Sequence, residues 1–402
     1  MIYKTSFPFF KHHQDLIYFD SAATSLKPQV VIDTITHYYT HLSSNVFRGD
    51  YTLSIETSNR FENVRQKTAA FLNVERDEII FTSGASESLN MIAFGFGHQV
   101  IEENDVILVN EAEHASNVLP WFELARQKKA KVKFYAIKDG QIDYESLEKR
   151  LQEDNVKIVS VAHVANVLGV KNDLKKLAKL VHEHDAYLMV DGAQAIGHFE
   201  IDLKEADVDF YAYSAHKMYG PTGVGILYGK HQLLEQMTPL QYGGGSNARF
   251  NVCGDISLKD IPERFESGTP NIEGVLGYGA AIDYINKVTL NAIEKHEIEL
   301  RDYLLKQVHD LDHLVIYNPF TDTGLLSFNV KGIFAQDVAA YLNHYQICVR
   351  SGTHCSKLVG GVISEENTVR LSLGIYNTKE DIDQFIRVIK DITLEKTIDI
   401  YL

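Results

Sequence analysis

Short apolar runs alternate with amphipathic stretches through residues 60–230. The runs that read as buried strands are 78–81, 105–109, 131–135, 158–162 and 187–190. Between them, apolar residues recur at helical spacing over 117–129, 143–153 and 173–184. This alternation predicts a mostly parallel sheet of the seven-stranded type, covered by helices on both faces. Ligands of such sheets bind beyond the carboxyl ends of the strands, so chemistry is expected there.

The pattern changes in the last third of the chain. The predicted elements there are one long helical stretch over 274–310, two strands over 325–330 and 369–373, and two shorter helices over 335–345 and 379–392. Thr378 and Asp381 have the spacing of a capping box at the start of the last helix. We therefore expect an α/β chain with a large domain over 17–275. A smaller C-terminal α/β domain is expected over 276–402, joined by the N-terminal residues 1–16.

Composition and charge narrow the class of protein. The chain has 402 residues, of which 45% are hydrophobic and 23% are charged, which is typical of a globular protein. Its net charge of −15 argues against binding to nucleic acid or to anionic membranes. Neither a membrane-spanning run nor a secretory signal is found in the sequence. The three cysteines, Cys253, Cys348 and Cys355, lack metal-ligand spacing, and their odd number indicates a reducing cytoplasm.

The segment Ser214-Ala215-His216-Lys217 carries the strongest chemical signal. It ends the apolar run 209–213 and opens a glycine-rich turn over 219–225. A lysine at the end of a buried strand is desolvated, which lowers its pKa and frees its amine for covalent chemistry. Small and hydroxyl-bearing neighbours leave room for a ring and a phosphate. The segment therefore predicts a lysine that binds pyridoxal phosphate, although a lysine beside a turn is more often simply solvated.

Asp191 directly follows the predicted strand 187–190. A carboxylate at the mouth of a buried strand is costly unless a cation meets it. A pyridinium nitrogen would be such a cation, and its protonation makes the ring an electron sink. Taken alone, this aspartate would more often be a helix N-cap.

Residues 81–87 read as a strand end, a turn of small residues and a helix start. Free backbone N–H groups and hydroxyls near Ser86 would suit a phosphate. The turn is not a P-loop, because no Lys-Ser/Thr pair follows the glycine at the required spacing. A plain capped turn is an equal alternative.

Two further polar residues follow predicted strands. His114 comes after the strand 105–109, where its flat ring could stack on an aromatic cofactor and move protons near neutral pH. Asn166 follows the strand 158–162. Their ordinary alternatives are a surface histidine and a turn asparagine.

The C-terminal third holds a candidate substrate-binding and sulfur site. Arg370 lies within an apolar strand, where an arginine needs an anionic partner such as a substrate carboxylate held by two hydrogen bonds. A structural Arg–Asp or Arg–Glu pair is the common alternative. Arg350 and Cys355 flank Gly352 nearby, although a lone thiol would more often be inert.

Together these segments resemble the class V aminotransferase family of fold-type I pyridoxal phosphate enzymes, most closely its cysteine desulfurase and selenocysteine lyase branch. The resemblance covers nearly the whole chain. The motifs that carry it are, in chain order, Tyr18-Phe19-Asp20-Ser21-Ala22-Ala23, Asn45-Val46-Phe47-Arg48-Gly49, Glu113-His114, Val118-Leu119-Pro120-Trp121, Val190-Asp191-Gly192-Ala193-Gln194, Ser214-Ala215-His216-Lys217, Glu263-Arg264-Phe265-Glu266-Ser267-Gly268-Thr269-Pro270-Asn271 and Val369-Arg370-Leu371-Ser372-Leu373-Gly374.

The resemblance implies a role for each candidate residue. Lys217 would hold pyridoxal phosphate covalently and move protons, with Asp191 on the ring nitrogen and His114 stacked on the ring. Gln194 and Asn166 would lie on the phenolic side of the ring. The residues implied at the phosphate are Ala85, Ser86, Ser214, His216 and, from the neighbouring subunit of a homodimer, Thr269. The residues implied at the substrate are Ala23, Asn166, Arg350 and Arg370.

The implied reaction converts L-cysteine to L-alanine, with the sulfur transferred to Cys355 as a persulfide and possible onward transfer to an acceptor protein. The alternatives are another class V activity, such as a C–S or C–Se lyase, an aminotransferase or an epimerase, and a non-catalytic scaffold. Phe47, Thr353 and Ser356 replace two histidines and an alanine of the branch motifs. These departures leave the exact substrate and the sulfur acceptor open.

Overall fold

The computed structural model describes residues 3–400, and its largest sheet has seven strands. In chain order these are β1 (Ile79–Thr82), β2 (Val106–Val109), β3 (Lys131–Phe134), β4 (Val156–Ala162), β5 (Tyr187–Asp191), β6 (Phe210–Ser214) and β7 (Gly225–Gly229). Their order across the sheet is β1-β7-β6-β5-β4-β2-β3. All neighbouring pairs are parallel except those of β7, which runs antiparallel to β1 and β6. The mostly parallel α/β sheet expected from the sequence is confirmed.

The central strands form the middle layer of the fold because they are apolar on both faces. Every residue of β2, β6 and β7 is buried. The longer helices around this sheet are Gln29–His37, Thr52–Leu72, Ala85–Met91, Leu119–Lys128, Tyr144–Glu153, Leu174–His182 and Ile272–Val288. Leu174–His182 buries Leu174, Leu177, Ala178 and Val181, the apolar stripe that predicted it.

The prediction of a single long helix over 274–310 is wrong. The structure has two helices there, Ile272–Val288 and Leu290–His309, separated by Thr289. Thr289 has a φ of 77° and caps the second helix, its hydroxyl accepting a hydrogen bond from the N–H of Ala292 at 3.3 Å. Apolar periodicity continues across the break, so the pattern alone does not reveal it.

A second, antiparallel sheet lies in the C-terminal third. Its strands are β8 (Leu314–Ile316), β9 (Leu325–Val330), β10 (Arg350–Gly352) and β11 (Thr368–Ser372), in the order β8-β9-β11-β10. The helices of this region are Ala335–His344, Val359–Ile363, Lys379–Lys390 and Leu394–Asp399. The predicted capping box is confirmed, since the Thr378 hydroxyl and the Asp381 carboxylate each bind the other residue's backbone N–H.

The remaining elements are short. They are the helices Phe9–His12, His98–Val100, Leu203–Ala206 and His231–Gln236, the π-helical turns Tyr38–Leu42 and Ile92–Gly97, the 3₁₀ turns Lys4–Ser6, Arg76–Glu78, Ala115–Asn117, Ala215–Lys217 and Glu263–Phe265, and the strand pairs Ile17–Tyr18 with Ile347–Cys348, Ile137–Lys138 with Gln141–Ile142 and Asn247–Phe250 with Ile256–Leu258. Within residues 3–400, no helix is both long and apolar enough to cross a membrane.

The buried apolar residues form separate clusters in the two regions. One cluster covers one face of the seven-stranded sheet and includes Ile272–Val288. Another packs Leu290–His309 and the C-terminal helices against the antiparallel sheet. The division into domains over 17–275 and over 276–402 with 1–16 stays a prediction. Of those ranges, residues 1, 2, 401 and 402 lie outside the described part of the chain.

A hydrogen-bonded seam joins the two regions along residues 166–169, just after β4. The carbonyl of each of these consecutive residues accepts a hydrogen bond from a side chain of the C-terminal region. The pairs are Asn166 with Arg370, Val167 with Ser327, Leu168 with Asn318, and Gly169 with Thr321 and Thr323, at 2.6–3.2 Å. The seam lies directly beside the carboxyl ends of the central strands.

Candidate active site

A cavity of about 200 Å³ opens at the carboxyl ends of the central strands, where the strand pattern predicts ligand binding. Its wall combines strand ends of the large sheet with two arginines of the antiparallel sheet. The predicted site residues that line it are Ala23, Ala85, Ser86, His114, Asn166, Asp191, Gln194, Ser214, His216, Lys217, Arg350 and Arg370. Cys355 and Thr269, also predicted, are not part of this wall.

Lys217 ends the 3₁₀ turn Ala215–Lys217, which follows β6 directly. Burial is the main cause that lowers the pKa of Lys217 to about 8, with Asp191 opposing and two arginines reinforcing the shift. The turn is fixed because the carbonyl of His216 accepts hydrogen bonds from the hydroxyl of Ser25 at 3.0 Å and the ammonium of Lys27 at 3.2 Å. A fixed amine with a pKa near neutrality is suited to covalent catalysis.

Asp191 is the last residue of β5 and is buried. One carboxylate oxygen accepts a hydrogen bond from the N–H of Ala193 at 2.9 Å. Gln194 lies on the same turn, and its side-chain amide donates to the carbonyl of Ala22 at 2.9 Å. A buried carboxylate aimed into a cavity favours a cationic group there.

His114 lines the cavity from the loop after β2. It caps the turn Ala115–Asn117, and its Nδ1 accepts a hydrogen bond from the N–H of Ser116 at 3.1 Å. Burial chiefly lowers the pKa of His114, and the charge of Asp191 partly offsets this effect. The ring is therefore neutral near pH 7, which suits stacking on a flat ring.

Polar groups of two strand ends meet at one end of the cavity. The Ser214 hydroxyl accepts a hydrogen bond from the N–H of Ala85 at 2.8 Å, and the hydroxyls of Ser86 and Ser116 are 2.6 Å apart. His216 lies beside them with a buried Nδ1 that has no hydrogen-bond partner in the described chain. These hydroxyls and the N-terminus of the helix Ala85–Met91 form a site for an anion.

Thr269 lies away from this anion site within the same chain. It is exposed, and its hydroxyl accepts a hydrogen bond from the Asn45 side chain at 3.3 Å. Its expected contribution to the site of a neighbouring subunit stays a prediction.

Arg370 and Arg350 are directly opposite each other on β11 and β10. Arg370 is 1% exposed, and one of its terminal nitrogens donates to the carbonyl of Asn166 at 3.0 Å. Its Nε and other terminal nitrogen have no hydrogen-bond partner in the described chain, although Asp20 lies 3.6 Å from the latter. Two positive charges that face each other, with buried N–H groups that lack hydrogen-bond partners, are stabilised when an anion lies between them.

Cys355 lies at the rim of the cavity and is exposed. A terminal nitrogen of Arg350 donates a hydrogen bond to its Sγ at 3.6 Å. The neighbouring His354 does not add a second positive charge beside the thiol. Burial chiefly lowers the pKa of His354 to about 3, so its ring is neutral, whereas Arg350 supplies positive charge next to the thiol.

Several residues of the cavity wall were not identified from the sequence. Ala22, Ala162, Val164 and Ala193 are small or apolar and carry no chemical signal, while Ser116 follows His114 closely enough to have been considered. Lys27 was also missed, although burial lowers its pKa to about 8 and it holds the turn that ends at Lys217.

The donor set fits a flat, cationic ring with an anionic tail. Asp191 would pair with a positive ring atom, His114 would offer a neutral face, and the unpartnered Nδ1 of His216 could bind an anionic tail. In the described part of the chain, no group of three or more His, Cys, Asp or Glu side chains could hold a metal ion.

Comparison with known proteins agrees with this geometry. The family profile described as "Aminotransferase class-V" matches residues 17–385. A protein of Halalkalibacterium halodurans named "Probable cysteine desulfurase" is 41% identical over 384 residues, which cover 95% of this chain and 93% of that protein. The apo structure of a cysteine desulfurase from Thermococcus onnurineus NA1 superposes with a TM-score of 0.92 at 36% identity and covers 96% of each chain.

A second solved structure, the cysteine desulfurase CsdA of Escherichia coli, has a TM-score of 0.90 at 31% identity. It covers 99% of this chain and 98% of its own. These matches confirm the fold class and the resemblance read from the motifs. The chain belongs to the class V aminotransferase family.

Proposed function

We propose that the protein is a pyridoxal phosphate-dependent cysteine desulfurase, which converts L-cysteine to L-alanine and leaves the sulfur on Cys355 as a persulfide. The observation that carries the proposal is the layout of one cavity. Lys217 and Asp191 line its inner wall, two arginines line the opposite wall, and a thiol lies against Arg350 at the rim. The names of the relatives support the same activity.

The residues of the cavity fit pyridoxal phosphate. Lys217 would bind it covalently, Asp191 would pair with its ring nitrogen, and His114 would stack on the ring. Gln194 and Asn166 would lie near its phenolic oxygen. The phosphate would take the hydrogen bonds offered by Ala85, Ser86, Ser214 and His216. When bound, the cofactor supplies an electron-withdrawing ring that stabilises negative charge at Cα of the amino acid.

The arginines select an amino-acid carboxylate. Two donors of the buried Arg370 have no hydrogen-bond partner in the described chain, although one of them is ion-paired with Asp20 at 3.6 Å. Together they would bind both oxygens of one carboxylate. Arg350 completes the positive wall, and Ala23 leaves room beside it. A substrate held there presents its Cα hydrogen toward Lys217. The lowered pKa of Lys217 lets its amine accept that proton near neutral pH.

Sulfur transfer then uses the thiolate of Cys355. Its Sγ forms a bond to the substrate sulfur while the bond between that sulfur and Cβ breaks. The electron pair of the broken bond stays on the carbon fragment, which gains a proton at Cβ, regains one at Cα from Lys217 and leaves as alanine. The guanidinium of Arg350 donates a hydrogen bond to this Sγ and so holds it beside the site. The atoms of cysteine are thereby divided between alanine and the persulfide.

The assembly and location of the protein belong to the same proposal. A homodimer would let Thr269 reach the phosphate of the neighbouring subunit, and large exposed apolar side chains such as Tyr39, Phe47 and Tyr51 support a contact surface. A sulfur-acceptor protein would take the persulfide at the rim. Three free thiols support a reducing, cytoplasmic location.

The proposal is tested with purified protein, pyridoxal phosphate and L-cysteine, measuring alanine and protein-bound sulfur together. We expect one alanine for each persulfide in a single turnover without reductant. Cys355→Ser should lose both products but keep the visible absorption of the bound cofactor. Lys217→Ala should change that absorption and lose alanine. Exposed Cys253→Ser is the matched control and should behave as wild type.

Other results would assign another activity. Alanine formed at the wild-type rate by Cys355→Ser would indicate a lyase that releases sulfur without a protein thiol. Turnover of selenocysteine but not of cysteine would indicate a selenocysteine lyase. Absence of cofactor binding would refute the proposed enzyme and favour a scaffold.

A further inference from the structure

Cys355 lies on a short turn whose conformation is unusual on both sides of the thiol. His354 and Cys355 have φ angles of 52° and 59°, in the left-handed region that side chains other than glycine rarely adopt. Cys355 is exposed, whereas its neighbours His354 and Ser356 are 3% and 1% exposed. Two consecutive left-handed residues persist only where surrounding contacts hold them.

A single side chain, that of Asn166, contacts both neighbours of the cysteine. Its Nδ2 donates to the carbonyl of His354 at 2.9 Å, and its Oδ1 accepts a hydrogen bond from the hydroxyl of Ser356 at 2.7 Å. Asn166 therefore bridges the residues immediately before and after Cys355. We call these two hydrogen bonds the Asn166–Ser356 clamp.

The clamp is attached to the most rigid part of the site. Asn166 is 5% exposed, and its carbonyl is held by Arg370 at 3.0 Å. The carbonyl of Cys355 also accepts a hydrogen bond from the N–H of Ala115 at 2.7 Å. The turn is thus tied to two strand ends of the large sheet, although Cys355 itself belongs to the C-terminal region.

The hydroxyl of Ser356 is the part of the clamp that can be removed without changing the shape of the backbone. Its loss removes one of the two hydrogen bonds of the clamp and frees the residue after Cys355 from Asn166. The left-handed turn can then relax. The thiol contacts Arg350 in the present conformation, so we expect relaxation to move the Sγ away from the guanidinium.

We propose that Ser356 is a positioning residue, which acts through Asn166 to hold the thiol of Cys355 against Arg350 and over the mouth of the cavity. This inference rests on the proposed desulfurase function for its kinetic consequence. Its structural consequence, the position of the thiol, is independent of that function.

The test compares the wild-type holoenzyme with Ser356→Ala by alkylation and by turnover. Iodoacetamide labelling of Cys355 is followed over time at one fixed pH by peptide mass spectrometry, with Cys253 in the same digest as the internal reference. We expect the labelling rate of Cys355 to fall, because its Sγ loses the hydrogen bond from Arg350, and the labelling rate of Cys253 to stay unchanged. We expect kcat for L-cysteine to fall about tenfold, the equivalent of about 1.4 kcal/mol for one hydrogen bond.

A second reaction separates the clamp from the rest of the site. Exchange of the Cα hydrogen of L-alanine with deuterated water needs the cofactor and Lys217 but not Cys355. We expect this exchange, and the KM for cysteine, to change by less than about twofold in Ser356→Ala, because substrate binding is retained. In the Asn166→Ala background, Ser356→Ala should cause no further fall of the labelling rate of Cys355, since the two residues act as a unit.

Ser327→Ala is the matched control. Ser327 is equally buried and donates to the carbonyl of Val167 at 2.6 Å, in the same seam but away from the cysteine turn. It should leave both the labelling rate of Cys355 and the kcat unchanged. An unchanged labelling rate in Ser356→Ala, or equal effects of both serine variants, would overturn the proposal. A wild-type enzyme that makes no alanine would instead refute the desulfurase function, while the labelling rates would still test the clamp.

Discussion

Substitution of Arg370 by lysine tests how the site recognises its substrate. The change keeps a positive charge on β11 but replaces a planar guanidinium by a single ammonium group. The native side chain is 1% exposed and donates to the carbonyl of Asn166 from one terminal nitrogen. Its Nε and second terminal nitrogen have no hydrogen-bond partner in the described chain. The lysine cannot provide two parallel donors at that position.

The expected loss follows from the number of donors removed. Burial lowers the pKa of Arg370 to about 10, so the side chain is still charged at neutral pH. A hydrogen bond to a charged group contributes about 1.5–3 kcal/mol, and the lysine retains the charge but loses one such bond to the carboxylate. We therefore expect KM for L-cysteine to rise about tenfold to a hundredfold, with a smaller change in kcat.

The assay measures alanine formation from L-cysteine and from L-cysteine methyl ester, whose carboxyl group carries no charge. The lysine variant should be impaired with cysteine but should differ little from wild type with the ester. Thermal melting of both proteins checks that the variant is folded. Equal impairment with both substrates, in a folded variant, would refute the assignment of Arg370 to the carboxylate.

Two further predictions concern the lysine and the stability of the large region. In protein freed of cofactor, reductive labelling of Lys217 by pyridoxal phosphate should increase with pH around a midpoint of about 8, because burial lowers the pKa of this amine. Asp191→Asn should lower the midpoint further, since the negative charge of the aspartate raises the pKa of Lys217. A midpoint near that of a free lysine would contradict the claim that burial lowers this pKa. Arg65→Met should reduce the free energy of unfolding in urea by about 3–5 kcal/mol, because it removes a fully buried guanidinium and leaves its partly buried partner Glu266 uncompensated. The control Arg60→Met removes an exposed ion pair and should change the free energy of unfolding by less than about 1 kcal/mol. Similar losses in both variants would show that burial of the Arg65 ion pair does not matter for stability.

The strand ends could be read from the sequence because their chemistry conflicts with their surroundings. Lys217 and Asp191 follow strongly apolar runs, and a parallel sheet brings the ends of those runs to one edge. Arg370 is conspicuous for the same reason. These residues line one cavity in the structure, together with His114.

Other parts of the site depend on tertiary contacts that leave no local pattern. Arg350 lies opposite Arg370 because of the register in which their strands pair, and the sequence of either strand alone does not reveal this register. The neutral state of His354 follows from its burial, reinforced by the charges of Arg370 and Arg350. Ser356 could be recognised as a departure from the family motif, but its bond to Asn166 joins residues 190 positions apart.

The hydrogen-bonded seam along residues 166–169 couples the unfolding of the two regions. Its carbonyls belong to the loop that follows β4 of the large sheet, and their donors belong to the C-terminal region. Separation of the two regions would leave several buried polar groups unpaired at once, which makes a half-open state costly. Both apolar cores should therefore melt in a single transition, and a chain cut between them should yield fragments that fold only when mixed.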